Sequence, residues 1–171
     1  MNLRYLLFAL PGPGDAFLEE AARVGRSPQA IVVAHPEDFA ASSIPRLPAS
    51  SVLDRAAVAS LALDAIIVTG WESRLPAALY RDLPRGGWNV HPSLLPAYRG
   101  HNPYFWVLAN RESLTGITVH RLTDHFDAGP ILVQRELAIA DDETIGSLWR
   151  RLNRLGAVAA HEALALMAAG A

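Results

Sequence analysis

Hydrophobic residues in the first half of the chain form short continuous runs separated by polar or Gly/Pro-rich stretches. Three such runs cover residues 3–10, 30–34 and 64–69, and unbroken runs of this length are typical of strands buried on both faces. Between them, the apolar spacing predicts a helix that begins with Asp15 as its N-cap and a second helix over residues 52–63. The pattern therefore predicts an α/β domain with a mostly parallel sheet and helices on both faces.

The second half of the chain has a different pattern. Residues 88–91 predict a short strand that is followed by a long loop, and residues 104–110 predict a helix. Residues 116–122 and 131–139 alternate apolar and polar positions, as half-buried strands do. Apolar residues at three-four spacing over residues 145–166 predict a closing amphipathic helix.

Residues 36–51 are rich in proline, serine and alanine and predict a loop with little regular structure. The chain shows no internal repeat and no linker, so we expect a single domain over residues 1–171. Its N-terminal apolar run stops at Pro11, which favours a buried strand over a signal peptide. No stretch approaches the roughly 20 apolar residues of a membrane span, and we expect no membrane partner.

Composition narrows the function classes. Hydrophobic residues make up 51% of the chain, which favours a packed globule. The 15 basic and 17 acidic residues nearly balance, and the absence of a basic run disfavours a nucleic-acid partner held by phosphate neutralisation. The chain has no cysteine, which excludes disulfides, thiol catalysis and cysteine-ligated zinc and favours a cytoplasmic location.

The densest polar stretch begins with Asn89 and His91 and runs to Gly100. On a strand, residues two apart point to the same face, so the amide and the imidazole project together. Pro92 ends the strand, which places this pair at the carboxyl edge of the sheet, where open α/β sheets bind ligands. The pair predicts a site that polarises an oxygen or moves a proton. A hydrogen-bonded polar pair in a turn is the alternative.

A second polar stretch covers residues 124–130, between two predicted strands. Gly129 and Pro130 turn the chain sharply and allow a close approach of the backbone to a ligand. Asp124 and Asp127 both lie in this loop. Chemistry alone leaves open which aspartate acts at a site, and either could simply form a turn.

The two stretches together resemble the 10-formyltetrahydrofolate-dependent formyltransferases. The resemblance rests on residues 89–96 with Arg99 and Gly100, and on residues 116–120 followed by residues 126–131. It extends from about Asp64 to the C-terminus. It implies a Rossmann-like formyltransferase fold with a shortened N-terminal part, and a catalytic trio of Asn89, His91 and Asp127.

The resemblance also implies the reaction. A formyl group carried by 10-formyltetrahydrofolate, the co-substrate, passes to an amine, and no metal is required. Asn89 and a protonated His91 would stabilise the negative charge that develops on the formyl oxygen. Asp127 would hold His91, favour its charged form and relay a proton through a water molecule.

Binding residues follow from the same resemblance. Those expected around the pterin are Trp71, Arg74, Leu75, Thr123, His125 and Phe126. Ordinary core packing is the alternative for Trp71 and Leu75. Those expected near the acceptor are Gly12, Arg99 and Gly100. His120, on an alternating strand, either edges the site or is solvated.

The acceptor is expected to be a small primary amine, such as an amino sugar or an amino-acid derivative. The sequence gives no sign of the small C-terminal β-domain that helps methionyl-tRNA formyltransferases hold tRNA. Four alternatives remain open: methionyl-tRNA formyltransferase-like activity, hydrolysis of formyltetrahydrofolate, non-catalytic folate binding, and nucleotide binding by a doubly wound domain. The lack of a Gly-rich phosphate loop disfavours the last of these.

Overall fold

The computed structural model describes residues 3–52 and 58–170 of the chain. Within them the strands are β1 (Tyr5–Ala9), β2 (Ala30–Val33), β3 (Arg46–Pro48), β4 (Ala65–Thr69), β5 (Gly86–His91), β6 (Leu114–Arg121) and β7 (Ile131–Ala138). The helices are α1 (Pro13–Val24), α2 (Ala49–Val52), α3 (Pro103–Ala109) and α4 (Ile145–Ala169), with a 3₁₀ turn at Ala77–Leu79.

The strands form one seven-stranded sheet in the order β3-β2-β1-β4-β5-β6-β7. Strands β1 to β5 run parallel, whereas β6 and β7 are antiparallel to their neighbours. The prediction of a mostly parallel sheet is therefore confirmed. The carboxyl ends of β1, β4 and β5 lie side by side, which is where an open α/β sheet binds its ligands.

Two cores cover the two faces of the sheet. Successive residues of β1 point to opposite faces, so Leu7 enters one core and Leu6 the other. The first core contains Phe17 of α1 and Leu152 of α4, and the second contains Val52 of α2. Helices on both faces, as predicted, shield the apolar parallel strands from water.

Residues 36–51 differ from the predicted loop. They contain β3, which pairs with β2 at the edge of the sheet, and the start of α2 at Ala49. An edge strand needs no apolar run, and Arg46 and Pro48 of β3 are both exposed. The predicted helix over residues 52–63 begins three residues early and its last described helical residue is Ala59, while residues 53–57 lie outside the described residues.

Two further predictions were wrong in detail. Helix α1 begins at Pro13 rather than after Asp15, because a proline is preorganised for the first helical position. The Asp15 carboxylate instead accepts the Gly12 N–H at 2.7 Å. Strand β6 is buried from Thr115 to His120, not on one face only.

Helix α4 has a well-defined start. The Thr144 hydroxyl accepts the Ser147 N–H at 3.1 Å, which satisfies one of the free donors in the first turn. The inner face of the helix packs against β5, β6 and β7. Although α4 is long, no helix within residues 3–52 and 58–170 is both long enough and apolar enough to cross a membrane.

Candidate active site

The structure brings the predicted trio together at the end of β5. Asn89 Nδ2 donates to Asp127 Oδ1 at 3.3 Å, and His91 Nδ1 lies 3.6 Å from Asp127 Oδ2. Asp124 instead has a side chain that is 69% exposed, and it pairs with Arg81 at 3.6 Å. Geometry therefore selects Asp127 over Asp124 as the aspartate that contacts the Asn–His pair.

His91 is buried at the C-terminus of β5. Its Nε2 lies 2.9 Å from the carbonyl oxygen of Tyr98, so Nε2 carries a proton and donates. Burial lowers the pKa of His91, although the Asp127 charge and the Tyr98 hydrogen bond oppose the shift. The lowered pKa favours a neutral imidazole at pH 7, with its Nδ1 lone pair on the Asp127 side. A protonated His91 during the reaction stays a prediction.

Asp127 lies in the loop between β6 and β7, with its backbone in the left-handed region at φ 49°. Its Oδ2 accepts the Gly100 N–H at 2.9 Å. Burial alone raises the pKa of Asp127, but three groups together lower it to about 2: a hydrogen bond with His120, the positive charge that His91 carries at the low pH where Asp127 titrates, and the Gly100 N–H. The carboxylate is therefore ionised at any pH near neutral.

A fourth polar side chain joins the trio. His120 on β6 is the cross-strand partner of Asn89 on β5. Its Nε2 lies 3.2 Å from Asn89 Nδ2 and 3.3 Å from Asp127 Oδ1, while its Nδ1 donates to the Arg121 carbonyl at 3.1 Å. The sequence left the role of His120 open, because the register of β5 against β6 cannot be seen from spacing alone. The structure shows that it is buried and contacts the site.

Gly129 holds the Asp127 loop against the sheet. A Cβ atom at this position would lie 1.8 Å from the carbonyl oxygen of Arg121, the last residue of β6. The predicted close backbone approach is therefore real, but it is made to the protein's own strand rather than to a ligand. Because Gly129 has no side chain, the loop can pass against the end of β6 and bring Asp127 to the site.

The loop over residues 92–100, which supplies the Tyr98 and Gly100 contacts, is tied to the antiparallel strands. Thr118 Oγ1 donates to the Ser93 carbonyl at 2.7 Å and accepts the Leu95 N–H at 3.1 Å. The Gln134 amide donates to the Leu95 carbonyl at 3.0 Å. These bonds fix the loop without using any residue of the trio.

A first cavity of about 200 Å³ opens beside the trio. Its lining includes all the residues predicted for the pterin: Trp71, Arg74, Leu75, Thr123, His125 and Phe126. The Trp71 ring also packs edge-on against the Phe8 ring, with 5.5 Å between the ring centres. Trp71 is therefore part of both the core packing and the cavity wall. The Arg74 guanidinium lies 5.4 Å from the centre of the Phe126 ring, which is itself 55% exposed.

A second cavity of about 240 Å³ lies between the Asn–His pair and helix α4. The two cavities share the residues Trp71, Glu72, Asn89, His91, Gly100 and His101. Of the residues predicted for the acceptor, Gly100 lines both cavities, and Gly12 lies between two lining residues, Pro11 and Pro13. Arg99 is exposed and lines neither cavity, so its role near the acceptor stays a prediction.

Two cavities that meet at the amide of Asn89 and the imidazole of His91, beyond the carboxyl ends of parallel strands, are typical of a ligand-binding α/β domain. The sequence profile of the family described as Formyl transferase matches residues 23–164. The chain belongs to this family.

Relatives with known names agree with this membership. The methionyl-tRNA formyltransferase of Anaeromyxobacter dehalogenans is 36% identical over 160 residues, which cover 94% of this chain and 48% of the relative. The GDP-perosamine N-formyltransferase of Brucella melitensis is 42% identical over 88 residues, 52% of this chain and 34% of the relative. The chain thus spans about half the length, or less, of these curated relatives.

A solved structure confirms the fold. The phosphoribosylglycinamide formyltransferase of Anaplasma phagocytophilum superposes with a TM-score of 0.84 at 22% sequence identity. The superposition covers 99% of this chain and 88% of that protein. The prediction of a formyltransferase fold is confirmed, and the predicted shortening of the N-terminal part leaves the fold intact.

Proposed function

We propose that this chain transfers a formyl group from 10-formyltetrahydrofolate to a primary amine. The observation that carries the proposal is the meeting of two cavities at Asn89 and His91. A reaction between two substrates requires that both reach the same polar groups, each from its own side. Membership of the formyl transferase family identifies the group that is transferred.

The first cavity suits a reduced folate. A pterin is flat, and Trp71, Leu75 and Phe126 offer it apolar and aromatic walls. Phe126 is more than half exposed in the free protein, so a ligand that covers its ring would remove apolar surface from water. Arg74 and His125 line the same cavity, and polar groups of these residues would pair with the polar edge of the pterin.

Asn89 would act on the formyl oxygen. When an amine attacks the formyl carbon, a carbon–nitrogen bond forms and negative charge gathers on that oxygen. The side-chain amide of Asn89 faces both cavities and donates hydrogen bonds. A fixed donor in a site that excludes water is usually the largest contribution to catalysis of acyl transfer.

His91 and Asp127 would move the proton. The neutral His91 has a free lone pair on Nδ1, which can take the proton that the attacking amine loses. The ionised Asp127, 3.6 Å from Nδ1, then stabilises the imidazolium. The proton passes to the folate nitrogen as its bond to the formyl carbon breaks, so the ring returns to its neutral form.

A small amine acceptor, such as an amino sugar or an amino-acid derivative, is the acceptor we propose. The relationship to the GDP-perosamine N-formyltransferase supports an amino sugar. A second candidate is the formylation of methionyl-tRNA, which is supported by the relative that matches 94% of this chain.

Binding of the stable analogue 5-formyltetrahydrofolate tests the assignment of the first cavity. A ligand that binds only the folded protein raises its melting temperature, so we expect a rise with this folate and none with ATP. Trp71→Ala should remove much of the rise, whereas His35→Ala, at an exposed loop position, should not. A rise with ATP and none with the folate would support the nucleotide-binding alternative instead.

A further inference from the structure

The loop that enters helix α1 forms one end of the second cavity, which we call the acceptor cavity. Pro11 and Pro13 line it and have no backbone N–H to offer. The other two donors of this turn are already used, because the Gly12 N–H donates to Asp15 Oδ2 at 2.7 Å and the Gly14 N–H to the Leu10 carbonyl at 3.0 Å. No peptide N–H between Pro11 and Gly14 therefore remains for an anion.

Two side chains further hinder an anion from binding at the start of α1. Asp15 places a carboxylate in the first turn of α1, where the helix dipole would otherwise favour an anionic ligand. Trp149 of α4 lies directly over Gly12, since a Cβ atom built on Gly12 would be 2.2 Å from Trp149 Cη2. The Trp149 indole thus covers the N-terminus of α1, and the Asp15 carboxylate offsets the positive end of the helix dipole.

The acceptor cavity has a carboxylate on its lining and no arginine among the described residues. The chain contains no lysine, so arginine is its source of permanent side-chain positive charge, and no arginine of the described segments lines this cavity. Glu72 is the acidic residue on the lining, and it lies where the acceptor cavity meets the first cavity. The other lining groups with basic atoms are His91, which is neutral at rest, and His101.

Apolar groups form much of the remaining wall. Trp149, Tyr104 and the two proline rings line the cavity together with aliphatic side chains from α4 and the sheet. Aromatic and proline rings present flat, rigid surfaces that pack against rings or short apolar bodies of similar size.

We propose that the acceptor cavity selects a primary amine whose body is a phosphate-free ring or short apolar group that packs against Trp149. The inference rests on the proposed function, because it specifies the acceptor class of the same site. It departs from the solved structure described above, which is named for a phosphorylated acceptor, phosphoribosylglycinamide, and from the curated relative named for GDP-perosamine, a nucleoside-diphosphate amino sugar.

The selection has two physical causes. A phosphate that enters the cavity gives up its water of hydration, and it finds neither a free peptide N–H in the turn from Pro11 to Gly14 nor an arginine of the described residues on the lining. It is also repelled by the Glu72 carboxylate on the lining and by the Asp15 carboxylate, which is bonded to the Gly12 N–H in the loop at one end of the cavity. A cationic or neutral amine carries no negative charge for these carboxylates to repel, and its apolar body gains contact with Trp149.

Matched amines test the proposal without any folate. Tyramine is compared with O-phosphotyramine, and D-glucosamine with D-glucosamine 6-phosphate, by titration against the intrinsic fluorescence of the protein. We expect at least one unphosphorylated amine to quench the fluorescence and to bind about tenfold or more tightly than its phosphate ester, a difference of about 1.4 kcal/mol. Trp149→Phe should remove most of the quenching.

Charge variants identify the source of the selection. Glu72→Gln and Asp15→Asn should each narrow the affinity ratio within a pair by about threefold, since each removes a repulsive charge near the cavity. Arg111→Gln, at an exposed position outside both cavities, should leave the ratio unchanged. Tighter or equal binding of the phosphate esters to the unmodified protein would overturn the proposal, and so would the absence of binding by both unphosphorylated amines.

The readout also separates this inference from the proposed function. Amine selectivity is measured without 10-formyltetrahydrofolate, whereas the proposed function fails if the folate does not bind. If the protein prefers unphosphorylated amines but does not bind the folate, the proposed function is refuted and the amine selectivity is supported. If it binds the folate but prefers phosphate esters, the amine selectivity is refuted and the proposed function is supported.

Discussion

Asn89 and His120 face each other across strands β5 and β6, with Asn89 Nδ2 at 3.2 Å from His120 Nε2. Both side chains reach the same atom, Asp127 Oδ1, at 3.3 Å. Because the two strands run antiparallel, β6 ends beside the start of β5, where the Leu122 N–H donates to the Gly87 carbonyl. The loop that follows then turns back and brings Asp127 to Asn89 and His91. From these contacts we infer that His120 is a positioning residue, which aligns the amide and the carboxylate of the site.

Replacement of His120 should therefore reduce turnover without loss of folate binding. For His120→Ala we expect kcat to fall about 10- to 100-fold, less than for the loss of a direct oxyanion donor. His120→Gln, which keeps a polar group near Asp127, should recover part of the rate. Steady-state kinetics and the dissociation constant of 5-formyltetrahydrofolate measure the two effects, with the exposed His35→Ala as the control. An equal loss of folate affinity would show a general structural role instead.

A substitution at Gly129 tests how closely the Asp127 loop must approach β6. An added Cβ would meet the Arg121 carbonyl at 1.8 Å, so Gly129→Ala must displace the loop. We expect a loss of stability of about 1–3 kcal/mol and a large loss of activity. The control is Gly146→Ala on α4, where the nearest atom is the mobile end of Arg150 at 3.6 Å. This variant should keep its activity and gain up to about 1 kcal/mol from helix propensity. Urea unfolding and turnover measure both, and normal activity in Gly129→Ala would refute the tight approach.

The sequence predicted most of the fold for a simple physical reason. Buried parallel strands such as β1 and β4 need unbroken apolar runs, and these runs are visible without a structure. The same holds for the pair Asn89 and His91, whose alternation places both on one face of β5. Strand β3 was missed because an exposed edge strand of three residues leaves no apolar signature.

The parts of the site that escaped prediction depend on contacts between distant segments. The role of His120 follows from the register of β5 against β6, and the solvent-facing position of Arg99 follows from the path of its loop. Neither is encoded in local spacing. The neutral state of His91 likewise follows from burial, which a single sequence cannot reveal.

The protonation of His91 can be followed directly. Burial lowers the pKa of His91 below its ordinary value of 6.5, and the Asp127 charge opposes that shift. Removal of the charge in Asp127→Asn should therefore lower the pKa further. NMR titration of the His91 ring should show a midpoint below pH 6.5 in the unmodified protein and a lower midpoint in the variant. An upward shift in Asp127→Asn would contradict the electrostatic account.

His161 should make the protein less stable in acid. It is buried between α1 and α4, and its Nε2 donates to the Phe17 carbonyl at 3.2 Å. Its Nδ1 has no hydrogen-bond partner among the described residues. Burial lowers the pKa of His161 from 6.5, so the unfolded chain binds the proton more readily. The free energy of unfolding should then decrease as the pH falls below 6.5.

The variant His161→Gln isolates this contribution. We expect its stability to decrease less between pH 7 and pH 5 than that of the unmodified protein, as measured by urea unfolding at both pH values. Part of the decrease should remain, because the pKa of the buried His91 is lowered as well. An equal or larger decrease in His161→Gln would contradict the assignment.

Formyl transfer itself is the most direct test of the central claim. The measurement is the formation of tetrahydrofolate from 10-formyltetrahydrofolate in the presence of primary amines, with the formylated amine identified by mass spectrometry. The account predicts acceptor-dependent turnover that falls by about two to four orders of magnitude in Asn89→Ala, His91→Ala and Asp127→Ala, with no additive loss in the double variants. The exposed Asp124→Ala should remain active. Turnover that survives Asp127→Ala but is lost in Asp124→Ala, or no consumption of the folate with any amine, would contradict it.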